Sequence, residues 1–222
     1  MDTNSSAKSE CEFCRELTSP CESRFSLIYS DVLKSRIIWE DGEFVVIPTL
    51  GQILKGSLLI VPRIHAERFA DLPRESRSHA QAIFAGIIKS GRGPMIAFEH
   101  GARCLTGGGC GIFHAHLHIV PVPKSFRIDQ ILPAGRAEHA GLLEAWQKNE
   151  LTDEYLIVGD TSGDFASVDR AMIKGFGISS QHMRKLIAKH FEIERPWDWR
   201  EYDQPEPDLI QLVNEWRLAD VS

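Results

Sequence analysis

Three histidines alternate with apolar residues in the stretch His114-Ala115-His116-Leu117-His118-Ile119-Val120. A period of two is that of a β-strand, so we predict that the imidazoles share one face and the apolar side chains the other. Adjacent polar rings on one strand face are costly to bury unless each has a partner. The stretch therefore predicts a strand with a functional site on its histidine face.

The composition is typical of an ordinary globular protein. The chain has 222 residues, of which 43% are hydrophobic and 25% charged, and this length can bury one sizeable core. A net charge of −6 argues against a protein that coats nucleic acid or an anionic membrane through bulk charge. No apolar run approaches the roughly 20 residues of a membrane span. The polar start of the chain lacks a signal-peptide pattern, and the odd number of cysteines, five, does not suit a disulfide framework, so we expect a cytoplasmic protein.

Hydrophobic patterns and turn signals predict an α+β fold with a mainly antiparallel, five-stranded sheet and helices packed on it. Asp41-Gly42 is a hairpin signal between the first two strands. A long amphipathic helix is predicted at about 75–90. The five strands are predicted at 35–39, 43–48, 57–62, 95–99 and 114–120.

We expect three segments along the chain. Residues 1–10 are predicted to be disordered, 11–130 to form the domain that carries the histidines, and 131–222 to form a small α/β extension packed on it. Within this extension we predict helices at 137–148, from Ser179-Ser180 to about 190 and at 208–217, with a strand at 154–158.

The residues alone leave two chemistries open for the histidine face. His-x-His on a strand can place two ring nitrogens on one zinc ion. Alternatively, a neutral imidazole is a competent nucleophile towards phosphorus, and its neighbours can orient it or carry a proton. A third interpretation is that the three histidines lie on the surface without a functional role, but their clustering disfavours it.

The motif resembles that of the histidine triad (HIT) family, in which three histidines alternate with apolar residues. The strand Gly56-Ser57-Leu58-Leu59-Ile60-Val61-Pro62 with Arg63 and His65 after it resembles the upstream strand of the family. The resemblance covers roughly half of the chain and implies a HIT-like fold with nucleotidyl hydrolase or transferase activity at an α-phosphate.

The resemblance implies a catalytic set of His114, His116 and His118. His116 would be the nucleophile that forms a covalent nucleotidyl intermediate, and His118 would contact the phosphate or support proton transfer. Family branches that transfer to phosphate or sugar-phosphate acceptors tend to carry Gln at the third position, so His118 favours water as the acceptor. A nucleotidyltransferase is the first alternative, and a zinc-stabilised module that binds nucleotides without turnover is the second.

Cys11-x-x-Cys14 is by itself a modest zinc signal, since zinc needs four ligands. Some HIT-like proteins and the related galactose-1-phosphate uridylyltransferases bind zinc through such a pair and two histidines. That resemblance implies structural Zn²⁺ held by Cys11, Cys14, His65 and His114, with Cys21 as a competing ligand.

Two segments are predicted to bind the nucleotide phosphates. A glycine run lets backbone N–H groups approach an anion closely, which assigns Gly107, Gly108, Gly109 and Cys110. The helix that opens near Ser179 offers its N-terminus, with Gln181 and Arg184, if the extension folds over the site. An ordinary solvated helix is the equal alternative, and Trp197 and Trp199 are predicted to be packing anchors.

The chain departs from the best-known HIT branches at three places. Cys110 and Gly111 stand where those branches usually carry Gln and Ser or Thr as phosphate contacts. Glu99 and His100 stand near the place of a phosphate-contacting Asn, and Pro48-Thr49 stands where a ribose-binding aspartate would be. We expect a nucleotide or dinucleotide as the small-molecule partner, with no membrane and no nucleic acid. A homodimer stays open, because an exposed sheet edge would permit it and the extension could block it.

Overall fold

The computed structural model describes residues 11–103, 111–132, 134–161, 163–175 and 179–219. Its described strands form one sheet in the order β1-β2-β3-β5-β4-β7-β8-β6, and every pairing is antiparallel. The strands are β1 (Trp39–Glu40), β2 (Phe44–Pro48), β3 (Leu58–Pro62), β4 (Met95–Ala102), β5 (Leu117–Pro121), β6 (Ala137–His139), β7 (Glu154–Asp160) and β8 (Phe165–Asp169).

Helices lie on both faces of this sheet. Short 3₁₀ turns at Pro20–Glu22, Phe69–Asp71, Ile128–Gln130 and Trp199–Glu201 connect them to the rest of the chain. The α-helices are α1 (Glu12–Thr18), α2 (Arg24–Tyr29), α3 (Arg74–Lys89), α4 (Leu142–Lys148), α5 (Arg170–Gly175), α6 (His182–His190) and α7 (Pro207–Ala219). No helix in the described ranges is long and apolar enough to cross a membrane.

The predicted α+β class and antiparallel sheet are confirmed, but the sheet has eight strands where five were predicted. The predicted extension contributes the other three, because β7 pairs with β4 from Ile96↔Asp160 to Ala102↔Glu154. β4 is therefore paired on both sides, and the strands at the two edges, β1 and β6, have only two and three residues. Short edges of this kind offer little to a second sheet.

Three local predictions need correction. The strand predicted at 35–39 forms only as β1, Trp39–Glu40. The histidine strand begins at Leu117, so His114 and His116 precede it. The helix predicted at 137–148 begins only at Leu142, and residues 137–139 form β6 instead. The reason is tertiary: β6 pairs with β8, and the His139 ring bonds the Ser167 hydroxyl at 2.8 Å.

The alternation of side chains along the strands divides the interior. One face packs against α2, α3, α4 and α7, and it takes Ala115, Leu117 and Ile119 from the histidine segment. The other face carries two separate apolar clusters, one under α1 and one under α5 and α6. On that face, β5 lies between β3, which contributes to the first cluster, and β4, which contributes to the second.

Candidate functional site

The second and third histidines of the motif line a cavity on that divided face. His116 is only 6% exposed and His118 only 5%. The cavity has an empty volume of about 430 Å³, part of which is open to solvent. Its walls come from α1, the β2–β3 loop and the C-terminal part of the chain. The lining residues are Phe13, Arg36, Thr49, Leu50, Leu59, Ile112, His116, His118, Arg184 and Trp199.

His116 is held in one tautomer. Its Nδ1 lies 2.6 Å from the backbone carbonyl oxygen of His114, and since a carbonyl only accepts, Nδ1 carries the hydrogen. Nε2 is then left with a lone pair. Burial lowers the pKa of His116 to about 4, helped by the nearby positive charge of Arg184, so the ring is neutral at pH 7. A neutral imidazole with a free ring nitrogen is the nucleophilic form.

His118 is fixed by packing. Its ring stacks on Phe98 with the centroids 4.4 Å apart, and the His116 ring lies 5.0 Å away. Burial holds the pKa of His118 well below its usual value, and the positive charge of Arg184 lowers it further. Both cavity histidines are therefore neutral rings beside a buried guanidinium, a setting that attracts an anion.

His114 does not line the cavity but belongs to a Cys-Cys-His-His cluster. The ligand atoms of Cys11, Cys14, His65 and His114 all lie within 4.8 Å of one another. Nδ1 of His114 is 3.3 Å from the Cys11 sulfur and 3.5 Å from the Cys14 sulfur, and Nδ1 of His65 is 3.3 Å from the Cys14 sulfur. The structure thus brings together all four predicted ligands.

The cluster fits structural zinc. Tetrahedral zinc with bonds of about 2.3 Å to sulfur and about 2.05 Å to nitrogen sets sulfur and nitrogen about 3.5 Å apart, close to the separations in the cluster. Nε2 of His114 lies 2.8 Å from the Pro62 carbonyl, so it carries the hydrogen and leaves the Nδ1 lone pair for the metal. The predicted competitor, Cys21, is exposed and outside the cluster.

The same cluster positions one wall of the cavity. Cys11 caps the N-terminus of α1, and Phe13 is the second residue of that helix. The Phe13 ring lies edge-on to His114 at 5.7 Å and to His116 at 5.3 Å. A metal bound to the two cysteines would therefore hold Phe13 against His116.

The C-terminal extension supplies another wall. Arg184 on α6 is 5% exposed, and its guanidinium donates to the carbonyls of Trp197 at 2.6 Å and Gly51 at 2.8 Å. Gly51 has a φ of 68°, and a Cβ there would lie 2.8 Å from Nη2 of Arg184. The β2–β3 loop therefore needs glycine at this position to receive Arg184. Trp199, predicted only to pack, lines the cavity.

The other predicted phosphate ligands are not among the described residues that line the cavity. Gln181 is buried outside the cavity wall, where its amide donates to Asp198 at 2.9 Å and accepts from the backbone of Trp199 at 3.4 Å. It therefore shapes the segment that carries Trp199. The predicted glycine loop, Gly107, Gly108, Gly109 and Cys110, lies outside the described residues.

Several residues of the cavity wall were not predicted from the sequence. Phe13 had a signal, because it stands between the two cysteines of the predicted metal pair. Arg36 had none: its guanidinium is buried, donates to both carboxylate oxygens of Glu16 at 2.7 Å and reaches the Pro48 carbonyl at 2.6 Å. That arrangement depends on contacts between separate segments, so no local pattern encodes it.

Comparison with known proteins yields HIT proteins. No family model matches the chain. An uncharacterized HIT-like protein of Mycobacterium tuberculosis is 28% identical over 86 residues, which are 38% of this chain and 60% of that protein. Protein HitA of Neisseria gonorrhoeae is 25% identical over 101 residues, covering 45% of this chain and 94% of its own. Protein hit of Bacillus subtilis is 28% identical over 102 residues, covering 44% of this chain and 68% of its own.

Solved structures similar to this chain carry the same family name. A zinc-bound histidine triad family protein from Mycobacterium smegmatis is 23% identical with a TM-score of 0.39, over 54% of this chain and 80% of that one. A HIT family member from Bacillus subtilis is 20% identical with a TM-score of 0.37, over 56% of this chain and 87% of that one. Together with its three alternating histidines, the match to these curated HIT proteins supports membership of this chain in the histidine triad superfamily.

Proposed function

We propose that this protein is a nucleotide hydrolase that acts at an α-phosphate through a covalent nucleotidyl intermediate on His116. One observation carries the proposal: the Nδ1 hydrogen of His116 is engaged by the His114 carbonyl at 2.6 Å, in a ring that lines the cavity. This hydrogen bond leaves Nε2 as the reactive nitrogen. It also stabilises the positive charge that the ring acquires when Nε2 bonds to phosphorus.

The reaction would proceed in two displacements. Nε2 of His116 attacks the α-phosphorus, and the bond from phosphorus to the leaving group breaks. Arg184 and His118 border the same cavity, where they can hold the phosphoryl oxygens while negative charge develops. Water then displaces His116 from phosphorus and releases a nucleoside monophosphate.

The cavity wall favours a nucleoside over a bare phosphate compound. Phe13, Leu59, Ile112 and Trp199 line it together with the histidines, so an apolar surface adjoins the reacting nitrogen. A purine or pyrimidine ring can pack on such a surface while its phosphate meets the polar groups. The substrate class is therefore a nucleotide with a phosphoanhydride or phosphoramidate bond at the α-phosphate.

A structural zinc ion would support this site from outside the cavity. The ion would be held by Cys11, Cys14, His65 and His114. The similar histidine triad protein from M. smegmatis is zinc-bound. The ion would tie α1 to the segment that precedes β5 and so fix the position of His116. A reducing cytoplasm, which the sequence leads us to expect, would keep both cysteines available as thiolates.

Trapping with a labelled nucleotide tests the proposal. The protein is mixed with a nucleoside phosphoramidate labelled in the nucleoside and denatured in alkali, in which a phosphorus–nitrogen bond to histidine survives, whereas acid breaks it. We expect an alkali-stable, acid-labile adduct that His116→Ala abolishes and that His190→Ala, at an exposed site on α6, retains. Binding without adduct or product would instead identify a nucleotide-binding module. Product formed only with added phosphate or sugar phosphate would identify a transferase.

A further inference from the structure

A fourth histidine, His100, lies on the same face of the sheet as the cavity histidines. β4 pairs with β5 through Phe98↔His118, and the Phe98 ring stacks on His118. His100 is two residues further along β4, so its side chain points to the same face. His116 stands two residues before His118, just beyond the last paired residues of β4 and β5, and it lies close enough to His100 to interact with it electrostatically.

His100 is held by a carboxylate from the extension. Its Nε2 lies 3.0 Å from Oε1 of Glu154 on β7, and the two side chains are only 2% and 6% exposed. Glu154 stands opposite Ala102 in the β4–β7 register, two residues beyond His100. With Nε2–H donating to the carboxylate, Nδ1 keeps its lone pair and is a proton acceptor.

That acceptor nitrogen has no hydrogen-bond partner among the described residues. Nδ1 of His100 is fully buried and makes no hydrogen bond within the described part of the chain. Leaving a buried polar atom unpaired costs free energy, which a purely structural histidine would avoid. A buried lone pair, oriented by a carboxylate on the face of a reaction site, is suited to accept a proton from a reactant.

We propose that His100, oriented by Glu154, accepts the proton of the water that cleaves the nucleotidyl-His116 intermediate, an inference that rests on the proposed function. In this step the water oxygen bonds to phosphorus while the bond from phosphorus to Nε2 of His116 breaks. The electron pair of that bond returns to Nε2, so His116 leaves as a neutral ring. The water proton moves to Nδ1 of His100, and Glu154 stabilises the imidazolium until the proton passes to solvent.

The charges around His100 agree with this role. The carboxylate of Glu154 is the counter-charge, and it comes from the strand that the extension adds to the sheet.

The test separates formation of the adduct from its discharge. A nucleoside phosphoramidate with a fluorescent amine as leaving group is mixed rapidly with each variant, and samples are denatured in alkali at successive times. For His100→Gln we expect a normal burst of amine and full adduct, followed by discharge about 100-fold slower than in the wild type, the scale of general base catalysis. Glu154→Gln should slow discharge less, since it keeps a hydrogen-bond acceptor but loses the charge. His190→Gln is the matched control and should behave as wild type.

Rescue by azide distinguishes chemistry from structure. Azide is an anionic nucleophile that needs no base, so it should discharge the adduct of His100→Gln and of wild type at similar rates. Adduct discharge at the wild-type rate in both His100→Gln and Glu154→Gln would overturn the inference alone. Equal slowing with water and with azide would overturn it as well, because the defect would then be structural. Absence of an adduct in the wild-type protein would overturn the proposed function and this inference together.

Discussion

Removing one zinc ligand should destabilise the whole fold, because the cluster joins parts of the chain that are far apart in sequence. The contact between Cys11 and His114 spans 103 residues, and that between Cys14 and His65 spans 51. A cross-link that closes a loop of about 100 residues contributes about 4.7 kcal/mol by restricting the unfolded chain. We therefore expect Cys14→Ser to lower the free energy of unfolding by about 4–5 kcal/mol.

For a chain of this size, each kcal/mol shifts the melting temperature by about 2–4 °C, so Tm should fall by about 10 °C or more. The assay is thermal and urea unfolding of the zinc-loaded protein, with bound metal quantified before and after. Cys21→Ser is the matched control, since Cys21 is exposed and outside the cluster, and it should change neither metal content nor Tm. A chelator added to the wild type should reproduce the loss seen in Cys14→Ser.

Two results would refute this reasoning. If the wild type binds zinc but chelation leaves its unfolding unchanged, the ion does not link the segments that the cluster brings together. If Cys14→Ser and Cys21→Ser lose the same stability, the effect belongs to cysteine replacement in general and not to metal binding.

Two further predictions concern the support of the site. Gly51→Ala should lower both stability and turnover, because the φ of 68° at Gly51 disfavours a side chain and the new Cβ would meet Arg184. The control is Gly42→Ala, which has open space around it and should change neither property. The measurements are unfolding and product release. Burial raises the pKa of Glu99 from 4.5 to about 7, so this carboxyl group binds its proton more tightly in the folded protein than in the unfolded chain. The free energy of unfolding therefore falls as the pH rises from about 4.5 to 7. Trp146→Phe removes an N–H donor to that carboxylate, so its loss of unfolding free energy should be larger at pH 8 than at pH 5, and equal losses would contradict this.

Local periodicity predicted the burial pattern of the histidine segment. The alternating motif indicated which side chains of the histidine segment enter the core, and Ala115, Leu117 and Ile119 do so. The zinc ligands were predicted through family resemblance, which related Cys11 and Cys14 to histidines 51 and 100 residues or more away. The spacing within a Cys-x-x-Cys pair carries no information about such distant partners.

The rest of the sheet could not be predicted because it depends on non-local pairing. β7, residues 154–160, pairs with the edge of β4 that faces away from β5, and about 60 residues separate the paired positions in sequence. β8 and β6 are short, and each is a strand only because the neighbouring strand supplies its hydrogen bonds. The pairing of His100 with Glu154 depends on the same register, and therefore the sequence did not predict that these two side chains meet.

The extension and the histidine domain form one structural unit, and the hydrogen bonds across the predicted boundary at residue 130 explain why. On the face away from the cavity, the Glu99 carboxylate accepts from Trp146 at 2.7 Å and from Tyr155 at 3.0 Å, both from the extension. On the cavity face, Arg184 bonds the Gly51 carbonyl of the β2–β3 loop. Because β4 pairs with β7 and both of its faces are tied to the extension, the site around His116 takes its shape from both parts of the chain. Substrate preference should therefore depend on the extension as much as on the histidine motif.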